Sequence, residues 1–536
     1  MLLTDTANPD FSRMSATSSV ADTPLASALR LPRDGVFVHC SRESGYTVID
    51  EKAAVALSGD TSGDTCFRLP PVYPEWLGDR SFTYAHNTRF PYIVGEMARG
   101  IATPEMVIAA ARAGLLGFYG SAGLPLREVS EGIAKIKAAL VATDATWGAN
   151  LIHSPQNPGM EKAVVDVFLQ TGVKRVSASA FMQLSPEVVR YSALGLRREG
   201  NLVVRDTHVF AKVSRVEVAE KFMSPAPVEV LRELLASGAI SAEQAELAAI
   251  VPVAEDITAE SDSGGHTDNR PAAVLLSSLL ETAGRIARQH GFDERSLRVG
   301  LAGGIATPQA VAGAFQMGAA YVLSGSINQP AMESGLSQQA RKMLSDASAA
   351  DVMMAPAADM FEQGVDVQVL KRGTLFGLYA KRLHGLYRAG ATTENLIDGD
   401  RQWFEQRLGQ TLESAWADTC EYLAQNNPQT LHSAQADGNI RFALLCRRYL
   451  FMASQWARDG EPGRAADYQI WCGPAMGAFN HWVKDTCLEP LENRNVKQIA
   501  WNLLEGAARL TRAGQLRSSG VALPEGAFRY TPQWFG

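Results

Sequence analysis

The chain has 536 residues, of which 46% are hydrophobic and 20% are charged, and its formal net charge is −7 at pH 7. This is enough apolar material for a barrel-sized core and further additions. The mild negative charge gives no electrostatic footprint for nucleic acid, and no apolar run approaches the roughly 20 residues of a membrane-spanning helix. We therefore expect a soluble, cytoplasmic enzyme.

The N-terminal region is predicted to hold a flexible tail, residues 1–35, followed by a small β cap, residues 36–90. The first residues, Met1 to Val20, are polar and lack the apolar core of a secretory signal. The strand-like runs VFVHC and YTVID favour the cap. The six cysteines are scattered without zinc-finger spacing, so we expect reduced structural thiols and no metal site.

Between residues 91 and 360, short β-branched runs alternate with helical patterns, as is typical of βα units in a parallel sheet. There are eight such runs, the number that closes a (β/α)8 TIM barrel of the α/β class. The predicted strands are Pro91–Gly95, Leu115–Phe118, Gly148–Ile152, Arg175–Ala178, Val209–Val213, Asp256–Ala259, Arg298–Ala302 and Tyr321–Ser324.

Two interruptions follow the fourth predicted strand. Residues Arg197 to Arg205 predict a hairpin, and residues 225–250 predict an inserted helical pair, broken at Gly238 and capped again at Ser241. Because the helical insertion precedes strand six, we expect it to lie over the barrel mouth. From residue 361 to residue 536, aromatic-rich amphipathic stripes predict a helical C-terminal domain.

The strongest motif lies at the ends of predicted strands seven and eight. Strand seven ends in Gly303-Gly304 before a helix that begins at Thr307-Pro308, and strand eight ends in Ser324-Gly325-Ser326. Bare backbone N–H groups and a helix N-terminus favour a phosphate, and phosphate sites recur after these two strands of a barrel. The phosphate could belong to a substrate or to FMN. The alternative is that these glycines only form tight turns.

A histidine follows predicted strand six, within AESDSGGHTDNRP. Gly264-Gly265 would let the backbone approach a ligand closely. His266 would stand at the catalytic face, and histidine, whose reference pKa is near neutral, is suited to proton transfer. Asp262, Asp268 and Asn269 could orient its ring. The alternative is a surface-loop histidine between turn glycines.

Three further features suggest a flat polar ligand. Gly95-Glu96-Met97 follows strand one and would lie against a planar ring. Asn150 and Lys212 are polar residues within otherwise apolar strands, and an amide with an ammonium suits the pyrimidine edge of a flavin. The alternative is that each is a strand-end residue that faces water.

These motifs resemble those of a known superfamily. GIATPEM after strand one, GAN on strand three, DSGGH, LAGGIA and SGS are similar to segments of the nitronate monooxygenase and flavin enoyl-reductase superfamily. LPPVYPEWLGDR, EDITAESDSGGHTDNRP, VQVLKRGTLF and DYQIWCGPAMGAFNHWV more closely resemble PfaD-type trans-acting enoyl reductases of polyunsaturated fatty acid and trans-acyltransferase polyketide synthases.

The narrower resemblance implies FMN as cofactor, NADPH or NADH as reductant, and an enoyl thioester on an acyl carrier protein as substrate. It also implies that His266 matches the active-site histidine of the superfamily. Three positions depart from the broader pattern. Gly95-Glu96-Met97 stands for Ala-Pro-Met, Asp262-Ser263 for Glu-Ala, and Ala259 for a common glutamine. These departures weaken the expectation of a nitronate oxidase.

The expected function is therefore reduction of an enoyl thioester in polyketide or fatty acid biosynthesis. The alternatives are an oxidative flavoenzyme of the nitronate monooxygenase type and a non-catalytic scaffold that binds a phosphorylated ligand. The expected partner is an acyl carrier protein, and the aromatic C-terminal region is compatible with a homodimer. Six cations are candidates for docking the carrier, with a solvated helix face as the alternative: Lys342, Lys371, Arg372, Lys381, Arg382 and Arg388. Tyr468, Trp471 and Trp482 would line an acyl channel or, more simply, form core.

Overall fold

The computed structural model describes residues 23–41, 43–57, 64–154, 157–265, 267–293 and 295–536. The chain divides into two compact units, one comprising Met1–Tyr73 and Ala508–Arg529, the other comprising Pro74–Ala507 and Tyr530–Gly536. Within the described ranges, no helix has the length and apolar character needed to cross a bilayer. All six cysteines are free thiols.

The first unit contains a three-stranded antiparallel sheet in which Val36–Ser41 pairs with both Gly45–Ile49 and Thr65–Leu69. A helix, Glu51–Leu57, connects the two outer strands. A second helix, Pro24–Arg30, lies in the range predicted as a flexible tail. It forms because the Thr23 side chain caps the first turn ahead of a proline, and because its apolar face packs on the sheet.

The second unit is built on a closed barrel of eight parallel strands, which confirms the predicted (β/α)8 fold. Each strand pairs with the next, and the eighth pairs with the first. Every predicted strand bound lies within one residue of the observed bound. In order, barrel strands one to eight are Tyr92–Val94, Leu116–Tyr119, Trp147–Ile152, Arg175–Ser179, His208–Val213, Asp256–Glu260, Arg298–Ala302 and Val322–Ser324.

A helix follows each of the first seven barrel strands. Four of these helices begin with a side-chain cap and a proline in the first turn, the caps being Thr103, Asn157, Ser185 and Thr307. This combination starts a helix at a fixed residue, so the carboxyl ends of the strands and the helix N-termini share one face. The helices are Pro104–Arg112, Leu126–Leu140, Pro158–Thr171, Pro186–Leu194, Val216–Met223, Ala272–His290 and Pro308–Gln316.

Aromatic rings fill the barrel interior from its amino end. Helix Arg80–His86, which the sequence placed in the β cap, belongs to this unit and supplies Phe82. The ring centroid of Phe82 lies 4.6 Å from that of Tyr321, and those of Phe118 and Phe210 lie 5.1 Å apart. These buried rings plug the amino end, and ligand sites of barrels of this kind lie at the carboxyl end.

The helical insertion is present but lies at the opposite end from the one expected. It consists of Val228–Ala236 and Ala242–Ala248. Gln244 Nε2 donates to the carbonyl of Leu194, at the end of the helix that follows strand four. The expectation of a position over the mouth is wrong, because each barrel helix returns the chain to the amino end before the next strand begins. The predicted hairpin forms nearby from Leu196–Glu199 and Leu202–Arg205.

The region after the barrel is mostly helical but contains one antiparallel strand pair, Val352–Pro356 with Asp366–Leu370. The second of these strands falls inside the range predicted as a helical domain. It is extended because VDVQVL alternates β-branched residues with polar ones. The helices are Gln338–Ser345, Phe376–Arg388, Asp398–Leu408, Leu412–Asn426, Pro428–Ala436, Gly438–Asp459, Ala475–Val483 and Val496–Ser518, the last belonging to this unit as far as Ala507.

Candidate active site

A largely buried lysine lies between two carboxylates at the carboxyl end of the barrel. Lys212, on strand five, places its Nζ 2.9 Å from Glu96 Oε1 and 3.1 Å from Glu260 Oε1. Glu96 follows strand one and Glu260 ends strand six, so three strands converge on this ion cluster. The side chains are 12%, 3% and 8% exposed for Lys212, Glu96 and Glu260 respectively, which keeps bulk water from screening the charges.

The two carboxylates keep the lysine charged. Burial alone would lower the pKa of Lys212, but the negative charges of Glu260 and Glu96 outweigh burial and raise its pKa above the ordinary value. Glu96 Oε1 also accepts a hydrogen bond from Ser179 Oγ at 3.0 Å, whereas its other oxygen, Oε2, is buried without a partner among the described residues. The cluster thus holds two anions, one cation and an unsatisfied acceptor.

Asn150 extends the cluster across strands three and four. Its Nδ2 donates to the carbonyl of Ser177 at 3.0 Å and to Ser179 Oγ at 3.1 Å. Because Ser179 in turn donates to Glu96, the predicted residues Glu96, Asn150 and Lys212 form one hydrogen-bonded network. Such a network fixes the orientation of each polar group before any ligand arrives.

The loop after strand six is fixed by hydrogen bonds at both of its ends. Asp262 Oδ1 accepts from Asn269 Nδ2 at 2.8 Å and also from Gln368 Nε2, which lies on strand Asp366–Leu370. Asp268 makes a bidentate ion pair with Arg215. The predicted catalytic residue of this loop, His266, lies outside the described residues.

The glycine tips predicted to bind phosphate lie at the carboxyl ends of adjacent strands. Gly303 and Gly304 adopt φ angles of +85° and +73°, a left-handed conformation that glycine tolerates best. A Cβ on Gly303 would lie 2.5 Å from Ser261 Oγ, so the tip of strand seven packs directly on the strand-six loop. Gly304 and Gly325 have open space where a Cβ would stand, so an anion can approach their backbones.

Two other predicted residues near these tips, Ser324 and Gly95, make contacts within the barrel. The Ser324 hydroxyl is already engaged, at 2.6 Å from Tyr92 OH and 2.9 Å from Asn328 Nδ2, so its side chain braces strand eight. Gly95 N donates to the Ser324 carbonyl at 2.9 Å, and a Cβ on Gly95 would clash with Leu323. Gly95 and Ser324 thus lie at the carboxyl ends of strands one and eight, and their part in cofactor binding stays a prediction.

A segment from the C-terminal region reaches the same face. Gly264 has no room for a Cβ, which would lie 2.7 Å from Cys472 N. Gly473 N lies 3.4 Å from Ser326 Oγ, and the Gln329 side chain donates to the Trp471 carbonyl. Residues 471–473 therefore join the predicted loops after strands six and eight. Gly265 lies on the other side of the strand-six loop, near Glu260.

Met97 lies in the strand-one loop, where its carbonyl accepts from Ala102 N at 3.0 Å. A Cβ on Gly120 would overlap that carbonyl, so the loops after strands one and two are in contact. Met97 is partly buried, next to Glu96 in the chain. This position is compatible with the predicted contact to a planar ring.

Sequence reasoning missed three contributors to this site: Glu260, Ser179 and Gln368. Glu260 carried the same signal as Lys212, a charged residue in an apolar strand, but it falls at the strand end, where charges are common. Ser179 gives no distinctive signal, because serine is ordinary at a strand end. Gln368 lies 106 residues from its partner Asp262, a separation that local patterns cannot predict.

The remaining predicted residues have ordinary environments. Tyr468 is fully buried, so it belongs to the core rather than to a channel. Trp482 donates to the Tyr530 carbonyl at 2.9 Å. Among the six candidate docking cations, Lys342, Arg372 and Arg382 pair with Asp346, Asp351 and Asp400.

Comparison with known proteins finds relatives among the subunits of polyunsaturated fatty acid synthases. Residues 391–468 match a family described as acyl-carrier-protein S-malonyltransferase, inserted helical domain. The chain is 44% identical over 468 residues to one polyunsaturated fatty acid synthase protein of Thraustochytrium sp., covering 85% of this chain and 31% of that relative. It is 42% identical over 527 residues to another component of the polyunsaturated fatty acid synthase of that organism, covering 96% of this chain and 25% of the relative. The chain thus spans less than a third of the length of these relatives.

A solved structure matches most of the chain. The crystal structure of the enoyl reductase domain of MlnA, from the macrolactin biosynthesis cluster of Bacillus amyloliquefaciens, gives a TM-score of 0.78 at 32% identity. The match covers 83% of this chain and 99% of that one. The chain therefore belongs to the family of the MlnA enoyl reductase domain, the PfaD-type family that its sequence motifs resemble.

Proposed function

We propose that the protein is an FMN-dependent enoyl reductase that uses NADPH or NADH to saturate the α,β double bond of an enoyl thioester on an acyl carrier protein. The observation that carries this proposal is the convergence at one barrel end of the open glycine tips and the Glu96–Lys212–Glu260 cluster. Membership of the MlnA enoyl reductase domain family supports the reaction class.

The residues present fit FMN. The backbone N–H groups of Gly304 and Gly325 and the hydroxyl of Ser326 would hold its phosphate, next to the N-terminus of helix Pro308–Gln316. Asn150 and Lys212 would face its polar ring edge. The unsatisfied Glu96 Oε2 is an acceptor suited to a ring N–H. When bound, FMN supplies the hydride that the β-carbon of the substrate receives.

The chain's own residues would supply the proton and stabilise the developing negative charge. We assign protonation of the α-carbon to His266, or to a water that it positions, on the strength of the sequence motif. The backbone N–H groups of Gly264 and Gly265 would donate to the enolate oxygen as charge develops on it. Residues 471–473 pack on this loop and would exclude water from it.

The experiment is anaerobic turnover of a carrier-bound enoyl thioester with NADPH, followed by mass spectrometry of the thioester. The proposal predicts a product heavier by two hydrogens and no requirement for oxygen. His266→Ala should lower the rate by ~100-fold or more while FMN stays bound. His290→Ala, at the exposed end of helix Ala272–His290, serves as the matched control. A rate that depends on oxygen, or a fully active His266→Ala variant, contradicts the proposal.

The carrier protein would dock on helix Phe376–Arg388. Its exposed face carries Lys381 and Arg388 beside Leu378, which is 58% exposed, and Lys371 and Leu375 lie just before it. Cations around an apolar patch complement the acidic surface of a carrier protein.

Docking is tested with Lys381→Glu and Arg388→Glu combined. Arg382 is left unchanged, because it pairs with Asp400 and stacks on Trp403, so its reversal would disturb the fold. The double variant should raise KM for the carrier-bound substrate by ~10-fold and spare a short thioester that lacks the carrier. An equal loss on both substrates contradicts docking at this helix.

A further inference from the structure

Two arginines meet at the rim of the barrel's carboxyl end, away from the ion cluster. Arg99 lies in the loop after strand one, three residues beyond Glu96, and Arg458 lies at the end of helix Gly438–Asp459. Arg458 Nη1 donates to the backbone carbonyl of Arg99 at 3.2 Å, and the two cationic side chains lie close enough for Arg458 to lower the pKa of Arg99. Neither residue belongs to the site described above.

The positive charges of Arg99 and Arg458 outnumber the negative charge beside them, that of Asp459. A neighbouring carboxylate, Asp459, accepts hydrogen bonds from Arg458 Nε at 3.0 Å and from Gln455. Among the described residues, no carboxylate forms an ion pair with Arg99, and its Nη2 is buried without a partner. Asp459 acts on both cations, so the cost of burying Arg99 is only partly offset, and the two cations also repel each other. An anion would remove both penalties.

Arg99 is held in place for such a contact. Its guanidinium stacks 3.6 Å from the ring centroid of Phe451 and donates to the Phe451 carbonyl and to Ser454. Its φ of +61° is unusual for a residue with a side chain, and such backbone strain is concentrated at ligand sites. Burial and the neighbouring Arg458 lower the pKa of Arg99 to about 10, so it remains charged at neutral pH.

We propose that Arg99 and Arg458 form a binding site for a phosphate ester at the rim of the active-site face. Arginine suits this ligand because its planar set of N–H donors matches phosphate oxygens. Two phosphates of the proposed reaction could supply the anion, that of the carrier's phosphopantetheine arm and that of the nicotinamide dinucleotide. This inference rests on the proposed function for its ligand but not for its geometry.

The test is calorimetric titration of the full chain with four separate ligands: pantetheine 4′-phosphate, pantetheine, NADPH and NADH. The variants are Arg458→Gln, Arg458→Lys and Arg99→Gln. The matched control is Arg127→Gln, an arginine that is 87% exposed and paired with Glu131. Binding is measured without turnover, so a failure of the proposed reaction is separate from a failure of this site.

A phosphate site predicts that both glutamine variants weaken a phosphate-bearing ligand by ~10-fold and that Arg458→Lys weakens it less. Loss on pantetheine 4′-phosphate but not on pantetheine identifies the carrier arm, and loss on the dinucleotides identifies the reductant. Arg458→Gln makes the result independent of any folding defect in Arg99→Gln. Affinities that match those of Arg127→Gln for all four ligands would overturn the inference.

Discussion

The two ends of the barrel both carry buried charges, but they use them differently. At the amino end, both oxygens of Asp256 accept hydrogen bonds, from Arg298 at 2.6 and 2.8 Å and from His86 at 2.9 Å. At the carboxyl end, Glu96 leaves one buried oxygen without a partner among the described residues, beside Lys212. The carboxylate of Asp256 is thus fully hydrogen-bonded and stabilises the fold, whereas a buried carboxylate oxygen without a partner, beside open backbone, is suited to a ligand.

The amino-end cluster also shows why proximity of ligand-type residues does not establish a metal site. Potential ligand atoms of His86, His208 and Asp256 lie within 4.8 Å of one another. However, Arg298 forms a bidentate ion pair with Asp256, and Arg175 Nε donates to His86 Nδ1 at 3.2 Å. Two guanidinium groups around the same atoms disfavour a further cation, so we interpret this cluster as structural.

The electrostatics of Asp256 follow from these partners. Burial opposes its negative charge, but Arg298 and His86 outweigh burial and hold the pKa of Asp256 well below the ordinary value. Asp256 therefore stays ionised at any pH at which the protein functions. Removing that charge would leave Arg298 buried without its main counterion.

The largest expected effect is that of Asp256→Asn on stability. Breaking one side of a buried ion pair should lower the free energy of unfolding by about 3–5 kcal/mol, measured by denaturant titration. Asp166→Asn is the control, since Asp166 pairs with Lys162 and Arg190 at the surface and its loss should cost about 1 kcal/mol or less. Equal, small losses in both variants would show that the amino-end cluster does not stabilise the barrel.

A second prediction concerns pH. Burial, only partly offset by Asp256, lowers the pKa of His86 to about 4 from its ordinary value near 6.5. Between those values the unfolded chain binds a proton that the folded chain does not, so stability should fall as pH drops from 6.5 to 4, by about 3 kcal/mol.

The pH prediction is checked by measuring the free energy of unfolding across that window for the wild type and for His86→Gln. Above pH 6.5 the contribution of His86 should be constant. His208, whose pKa is also lowered, mainly by burial, contributes a slope of the same sign that remains in the variant. If His86→Gln has the same slope as the wild type, the assigned protonation of His86 is incorrect.

A specific loss of ligand binding, the smallest of the three expected changes in free energy, is predicted for Lys212→Met. The variant removes the cation that lies between Glu96 and Glu260 at the carboxyl end of the barrel. FMN affinity should fall by ~10-fold, measured by fluorescence on titrating the apoprotein. Asp256→Asn, assayed under conditions in which it is folded, should bind FMN with the affinity of the wild type. Weaker FMN binding in Asp256→Asn but not in Lys212→Met would contradict a flavin site at the carboxyl end.

Much of the barrel was predictable, because each strand is a short β-branched run and four of the following helices start at their own side-chain cap. Lys212 and Asn150 were identifiable because charged and amide groups are rare within barrel strands. The position of the insertion was mispredicted because a segment that directly precedes a parallel barrel strand lies at the amino end of the barrel, not at its carboxyl end. Gln368 and residues 471–473 contact loops more than 100 residues away in the sequence, so only tertiary structure reveals them.

The central claim is that the carboxyl end binds a flavin and passes its electrons to an enoyl thioester. The most direct measurement is the visible spectrum of the purified protein under argon, first alone, then with NADPH, then with a carrier-bound enoyl thioester. The account predicts a flavin spectrum that bleaches with NADPH and returns when the thioester is added. A protein that binds no FMN, or whose bleached spectrum returns only with oxygen, would contradict it.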